Sequence, residues 1–302
     1  MTNSKRSVFV YLALGFAMLV WGLSFLVTKD VVSHVPLFTL LFLRFSIAAI
    51  LLGAIGGVKR TLAVPWRDLA LLASLALLSP IGYFIFETFG VANTQPSHVS
   101  VIIAAIPTVV FLITLAKRQE RATWRKGIGL VVTYIGIVLL VASGLHEAGA
   151  RVLGDILVFG AVMCAAARTV LIKDVLRRIT PLQLTFYQFL FSLVIFGPLA
   201  ATDSWSWVAT ITAVQASEIL FLGVLCSAGA FVALHYALTH LSATQVAATV
   251  SFIPVITLLA EVLIMGARLS PLKGLGVVTA VAGVLLVQIN RKKHQETMLA
   301  EG

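Results

Sequence analysis

Apolar residues fill long runs along this chain, and most charged residues fall in the short linkers between them. Each run of roughly 18 or more apolar residues is long enough to cross a hydrocarbon core of about 30 Å as a helix. The pattern predicts ten helices, over residues 8–28, 36–55, 69–90, 98–116, 126–144, 153–173, 182–201, 217–239, 245–265 and 273–290. Pro36, Pro96, Pro181 and Pro271 fall at helix starts, where a missing N–H does least harm. No linker is long enough for a soluble domain. The expected fold is an all-α integral membrane protein.

A repeat runs through the pattern, and self-similarity of this kind bears on the whole architecture. One constant offset carries Ile106-Pro107 onto Ile253-Pro254, Lys126-Gly127 onto Lys273-Gly274, Gly129 onto Gly276 and Gly136 onto Gly283. The chain therefore reads as two copies of one five-helix unit, residues 1–145 and 153–290, followed by a cytoplasmic tail, 291–302. Five is odd, so the second copy enters the membrane inverted. Inverted repeats of this type are a transporter signature, with substrate held near the midplane where the halves meet. The glycines Gly53, Gly57, Gly127, Gly129, Gly136, Gly274, Gly276 and Gly283 are expected to let helix backbones approach closely.

Composition supports the membrane assignment: 60% of the 302 residues are hydrophobic and only 11% charged, against about 25% charged in soluble chains. The net charge of +10 would point to nucleic acid in a soluble protein. Here the basic residues sit in linkers, where they set orientation, so nucleic acid is excluded as a partner. They collect on one side, as in Lys59-Arg60, Lys117-Arg118 and Arg177-Arg178, which predicts a multi-pass protein of a bacterial-type plasma membrane with both termini cytoplasmic. The first span is too long for the core of a secretory signal and lacks a convincing cleavage site. Cys164 and Cys226 lie inside spans as small hydrophobes, so neither a disulfide nor a metal site is implied, and no cofactor is expected.

Further residues carry a resemblance. Trp21-Gly22, Ser24-Phe25 and Lys29 in the first helix, Arg44 in the second, Phe86-Glu87 with Gly90 in the third, then Pro107 and Glu120, are followed in the second copy by Pro254, Gly266 and the Gly274/Gly276/Gly283 run. In this arrangement the chain resembles the drug/metabolite transporter superfamily and its EamA-type members over nearly its whole length. The resemblance implies ten helices in two inverted five-helix repeats and efflux of amino acids or other small metabolites. Ala267 stands where an acidic residue is expected, and Ala165 where the sixth helix often has Trp.

Ionisable groups inside a bilayer cost from ~3 to ~10 kcal/mol, so each needs a partner or a wet cavity. Arg44 falls about eight residues, ~12 Å, below the outer face, and Glu87 and Glu261 lie ~6 Å deep. Arg44 is the candidate for a substrate carboxylate. Glu87 and Glu261 are candidates for an amino group or a coupling proton; the alternatives are an Arg44–Glu87 ion pair or contact with interfacial water. Arg168, near a cytoplasmic helix end, either contacts substrate or snorkels to the headgroups. His235 titrates near neutrality and is a candidate proton relay, or else a structural histidine. Trp21, Tyr83, Tyr187, Gln188 and Tyr236 are candidate cavity residues, and a second offset carries Arg44 onto Gln188. Pro107 and Pro254 interrupt their helices and read as hinges or as packing kinks.

No G-x-x-x-x-G-K-[ST] motif is present, which argues against ATP hydrolysis. The leading reading is a secondary transporter exporting an amino acid or related solute, proton-coupled in one version. Uptake of similar solutes is the alternative. An intramembrane enzyme lacks a convergent His or Asp constellation, since His235 and His240 are wrongly spaced for one helical face, and a non-transporting sensor lacks an output domain. The expected partners are a small-molecule substrate and membrane lipid, with a homodimer left open.

Overall fold

A computed structural model describes residues 3–117, 123–144, 150–241, 246, 249–250, 252–266 and 270–288. Glu120, Ala267 and the tail 291–302 lie outside the described residues. The helices are α1 (Asn3–Val31), α2 (Leu37–Val58), α3 (Trp66–Ala76), α4 (Tyr83–Asn93), α5 (Pro96–Ile103), α6 (Ile106–Ala116), α7 (Trp124–Gly144), α8 (Ala150–Val175), α9 (Pro181–Thr202), α10 (Ala213–Leu220), α11 (Ala230–His240), α12 (Ile253–Met265) and α13 (Pro271–Gln288). Wide π-helical turns at Leu77–Gly82 and Phe221–Gly229 join α3 to α4 and α10 to α11. Among the described residues there is no strand, and seven helical spans are long and apolar enough to cross a membrane; Ile253–Met265 and Pro271–Gly283 are shorter apolar helices.

Two helices expected to be continuous are broken. The stretch 69–90 opens at Ser79, whose φ of −158° and ψ of 125° leave the helical region. The ring of Pro80 disfavours α conformation in the residue before it. The stretch 98–116 breaks at Ala104-Ala105, placing Pro107 at the second position of α6. Proline there cannot donate to the carbonyl of Ile103, so the helical ladder restarts instead of bending. Pro254 takes the same place in α12.

Helix ends are closed by neighbours. The Asp203 carboxylate accepts from the Thr39 backbone N–H at 2.9 Å and from its hydroxyl at 2.8 Å, supplying the cap that Pro36 cannot give α2. The Lys29 ammonium donates to the carbonyls of Val91 and Ala92 at 3.0 and 2.7 Å, where its charge meets the negative end of α4. Gly266 turns the chain out of α12 at a φ of +63°, which a residue with a side chain adopts only with strain.

Helix pairs α2–α9, α4–α8, α1–α11 and α7–α13 make the main packing contacts. Phe45 lies at the centre, stacked on Phe189 with 5.1 Å between centroids and edge-on to Phe84 at the same distance. At the α7–α13 crossing, a Cβ on Gly136 would collide with the Ala280 backbone, and one on Gly283 would lie 2.6 Å from Thr133 Oγ1. Close approach thus holds for this pair. It does not hold at Gly127 and Gly57, which face open space.

Candidate functional site

The broken helices and their partners surround a partly open cavity, with about 830 Å3 of space not filled by atoms once the part open to solvent is included. α1 contributes Trp21, Ser24 and Phe25, α2 contributes Arg44, and the α3–α4 element contributes Ser79, Tyr83, Phe84 and Glu87. Ile103 and Ile106 flank the α5–α6 break. Arg168 and Thr169 enter from α8, Phe231, Leu234 and Leu238 from α11, and Val246, Val250 and Ile253 complete the wall. The lining is mostly apolar, with a few polar groups set into it, the usual make-up of a small-molecule site.

Wide turns leave backbone carbonyls without helical partners, and side chains from other helices satisfy them. Trp21 Nε1 donates to the Cys226 carbonyl at 3.0 Å, and Gln188 Nε2 to the Ser79 carbonyl at 3.1 Å. Arg44 Nε donates to the hydroxyl of Ser227, in the same turn as Cys226, at 3.2 Å, and the guanidinium carbon sits 4.4 Å from the Phe84 ring centroid. Irregular backbone at membrane depth is tolerated when it is buried in protein or lines a cavity, and both turns meet that condition.

Of the side chains singled out in the sequence, Trp21, Arg44, Tyr83, Glu87 and Arg168 line the cavity together. Arg44 and Glu87 are each 2% exposed and make no direct ion pair; the nearest hydrogen bond to Glu87 is the Thr88 hydroxyl, 2.9 Å from Oε2. Tyr83 lies within electrostatic reach of Glu87, Arg44 and Arg168. Arg168 does not snorkel: it is 4% exposed, contacts His235 Nε2 and lies 5.5 Å from the Phe231 ring centroid.

Other candidates stand elsewhere. Glu261 is outside the lining, in a 2.7 Å ion pair with Lys273, and accepts from the Ser97 backbone N–H at 2.7 Å. A carboxylate so placed ties α12 to α13 and α5, and its sequence position gave no hint that a cation one helix later would reach back to it. His235 is fully buried behind Arg168, with Nδ1 2.8 Å from Thr185 Oγ1, so both ring nitrogens are engaged. Gln188 is behind the cavity wall, holding Ser79. Tyr187 packs on Phe186 and Phe191, and Tyr236 on Phe9 and His240.

Sequence reasoning missed Ser79, Phe84, Ser227 and Phe231. Ser79-Pro80 inside an apolar run was a readable sign of a break; the phenylalanines carried none, since the chain has 18 of them. It also missed a second buried polar group, in which Asp155 accepts from Thr94 Oγ1 at 2.8 Å and pairs with His98 Nδ1 at 3.2 Å.

An all-helical membrane protein around a charged, buried cavity is the class that this fold and site define. Within it, the chain belongs to the EamA-like transporter family, whose sequence profile matches residues 8–142 and 152–289. It is therefore a transporter and not an enzyme. An uncharacterized transporter of Archaeoglobus fulgidus is 29% identical over 299 residues, 97% of this chain and 100% of that protein. A probable terminal-alkyne amino-acid exporter of Streptantibioticus cattleyicolor is 26% identical over 261 residues, 84% of this chain and 86% of that one. A solved crystal structure, described only as that of a protein, matches with a TM-score of 0.71 at 17% identity, covering 94% of this chain and 98% of that one; it shows likeness of fold alone.

Proposed function

We propose that this transporter is a secondary carrier that exports an amino acid or a closely related amphipathic metabolite across the plasma membrane. The convergence of Arg44, Glu87, Tyr83 and Trp21 on one buried cavity carries the reading. Arg44 takes the substrate carboxylate. Glu87 takes the amino group or the coupling proton, and the aromatic and aliphatic wall takes the side chain. The likeness to an amino-acid exporter supports the substrate class and the outward direction.

The architecture proposed with it is ten membrane-spanning helices in two inverted five-helix repeats, residues 1–145 and 153–290, with both termini in the cytoplasm. Two features support this arrangement: the family profile matches the chain as two successive segments, and α6 and α12 each begin with Ile-Pro. Pro107 and Pro254 then act as paired hinges for alternating access, because each sits at the second position of its helix and gives no hydrogen bond back to the turn before it.

Purified protein in liposomes loaded with an unlabelled amino acid should accumulate the labelled one by counterflow. Absence of counterflow for every amino acid and related metabolite in a broad panel would overturn the carrier reading. Fusions of a periplasmic reporter to each terminus test the orientation, and reporter activity at either end would sink it.

A further inference from the structure

The cavity carries more positive than negative charge. Two guanidiniums, Arg44 and Arg168, and one carboxylate, Glu87, are its charged groups among the described residues. Segment 242–251, only part of which is described, contains no acidic residue. With Glu87 ionised or protonated, the lining stays positive.

The excess resides on Arg168. Arg44 feels the field of Glu87, whereas Arg168 has no carboxylate partner among the described residues. Its Nε is buried without a hydrogen-bond partner. What holds it is His235, and the surrounding hydrogen bonds fix that histidine's tautomer. Thr185 gives its hydroxyl hydrogen to the Pro181 carbonyl at 2.7 Å, so it accepts from His235 Nδ1–H at 2.8 Å. Nε2 is then left as a bare acceptor facing Arg168. His235 thus positions the guanidinium without neutralising it, and the cation is aimed into an apolar cavity.

A charge kept there, away from water, is costly until a counter-charge arrives. We infer that the solute carried by this cavity is a net anion: an amphipathic organic carboxylate whose negative charge neutralises Arg168 and whose apolar body packs on Phe25, Phe84 and Phe231. A zwitterion satisfies Arg44 and Glu87 but leaves Arg168 unmet, so among amino-acid-like solutes those with a second acidic group, or without the ammonium, are favoured. This rests on the carrier reading above and narrows its substrate class.

The test uses four probes that share a phenyl body and differ in charge: phenethylamine, L-phenylalanine, 3-phenyllactate and phenylsuccinate. Binding to the full-length protein in nanodiscs gives an affinity ratio internal to each preparation, so a variant that folds in part does not distort it. The two anions should bind about tenfold or more tighter than the zwitterion and the cation, the size of a charge-assisted hydrogen bond made or lost. Arg168→Gln should erase that preference and Arg168→Lys should keep part of it. His235→Ala should weaken the preference, because Arg168 keeps its charge but loses the contact that positions it. Equal or tighter binding of L-phenylalanine or phenethylamine, an unchanged ratio in Arg168→Gln, or no binding of any of the four would overturn the inference. Export itself is read separately by counterflow, and its failure for all solutes would count against the carrier reading instead.

Discussion

Trp21 in α1 donates its indole N–H to the carbonyl of Cys226 at 3.0 Å, so the wall of the cavity and the wide turn between α10 and α11 are one hydrogen-bonded unit. The same turn holds Arg44 through Ser227. A shift of the turn therefore moves two side chains that line the cavity.

That coupling predicts the effect of Trp21→Phe. The ring stays aromatic but shrinks from indole to phenyl, and the Cys226 carbonyl loses its donor; the lost hydrogen bond costs about 1 kcal/mol inside a membrane protein, and the gap left by the smaller ring adds to it. Melting of the purified protein should fall by a few degrees, while flux should fall more than stability because Arg44 loses its fixed platform. Unchanged flux in a variant with lowered melting would separate the turn from transport.

At the opposite edge, Glu261 and Lys273 should behave as a structural pair. Removing one charge strands the other in a poorly hydrated site, an effect of about 3 kcal/mol or more for buried pairs. Glu261→Gln and Lys273→Met should each lower the melting temperature, and the double variant should recover much of the loss. The ranking of transported solutes should not change in any of the three. A changed ranking would return Glu261 to the substrate site.

The α7–α13 crossing gives a packing test. Gly136→Ala puts a methyl group into the Ala280 backbone, an overpacking cost of about 1–3 kcal/mol. Gly127→Ala on the same helix faces open space and should be neutral or slightly stabilising, since alanine is the better helix former. Equal melting temperatures for the two variants would contradict the close crossing.

These contrasts show what the sequence carried and what it did not. The all-helical, membrane-spanning character was legible because membrane length and apolar runs leave few alternatives, and Arg44, Glu87 and Arg168 stood out because charge in a span demands a reason. The breaks at Ser79 and Ala104 were only half legible: the prolines announced a disturbance, but whether a helix bends or restarts depends on which neighbour receives the freed carbonyls. Partners were not legible at all. Glu261 and Glu87 look alike along the chain, yet one meets Lys273 and the other a cavity, because pairing is set by how α12 and α13 pack. Gln188 aligns with Arg44 by offset and nevertheless points at backbone, since the wide turn beside it needed a donor.

Glu87 supplies the last prediction, because its role divides two kinds of flux. Counterflow exchanges solute for solute and moves no net proton, whereas accumulation driven by a pH gradient requires a group that binds a proton on one side and releases it on the other. Glu87 sits in the lining with Thr88 as its hydrogen-bond partner, and glutamine preserves shape and hydrogen bonding while removing the titration. If Glu87 carries the coupling proton, Glu87→Gln retains counterflow within about twofold of wild type, equivalent to less than ~0.5 kcal/mol, and loses gradient-driven accumulation entirely. If it binds the substrate ammonium instead, both fluxes fall together and affinity for amine-free analogues is spared. Measuring the two fluxes and the analogue affinities on one preparation decides between the roles, and a variant indistinguishable from wild type in all three would remove Glu87 from the mechanism.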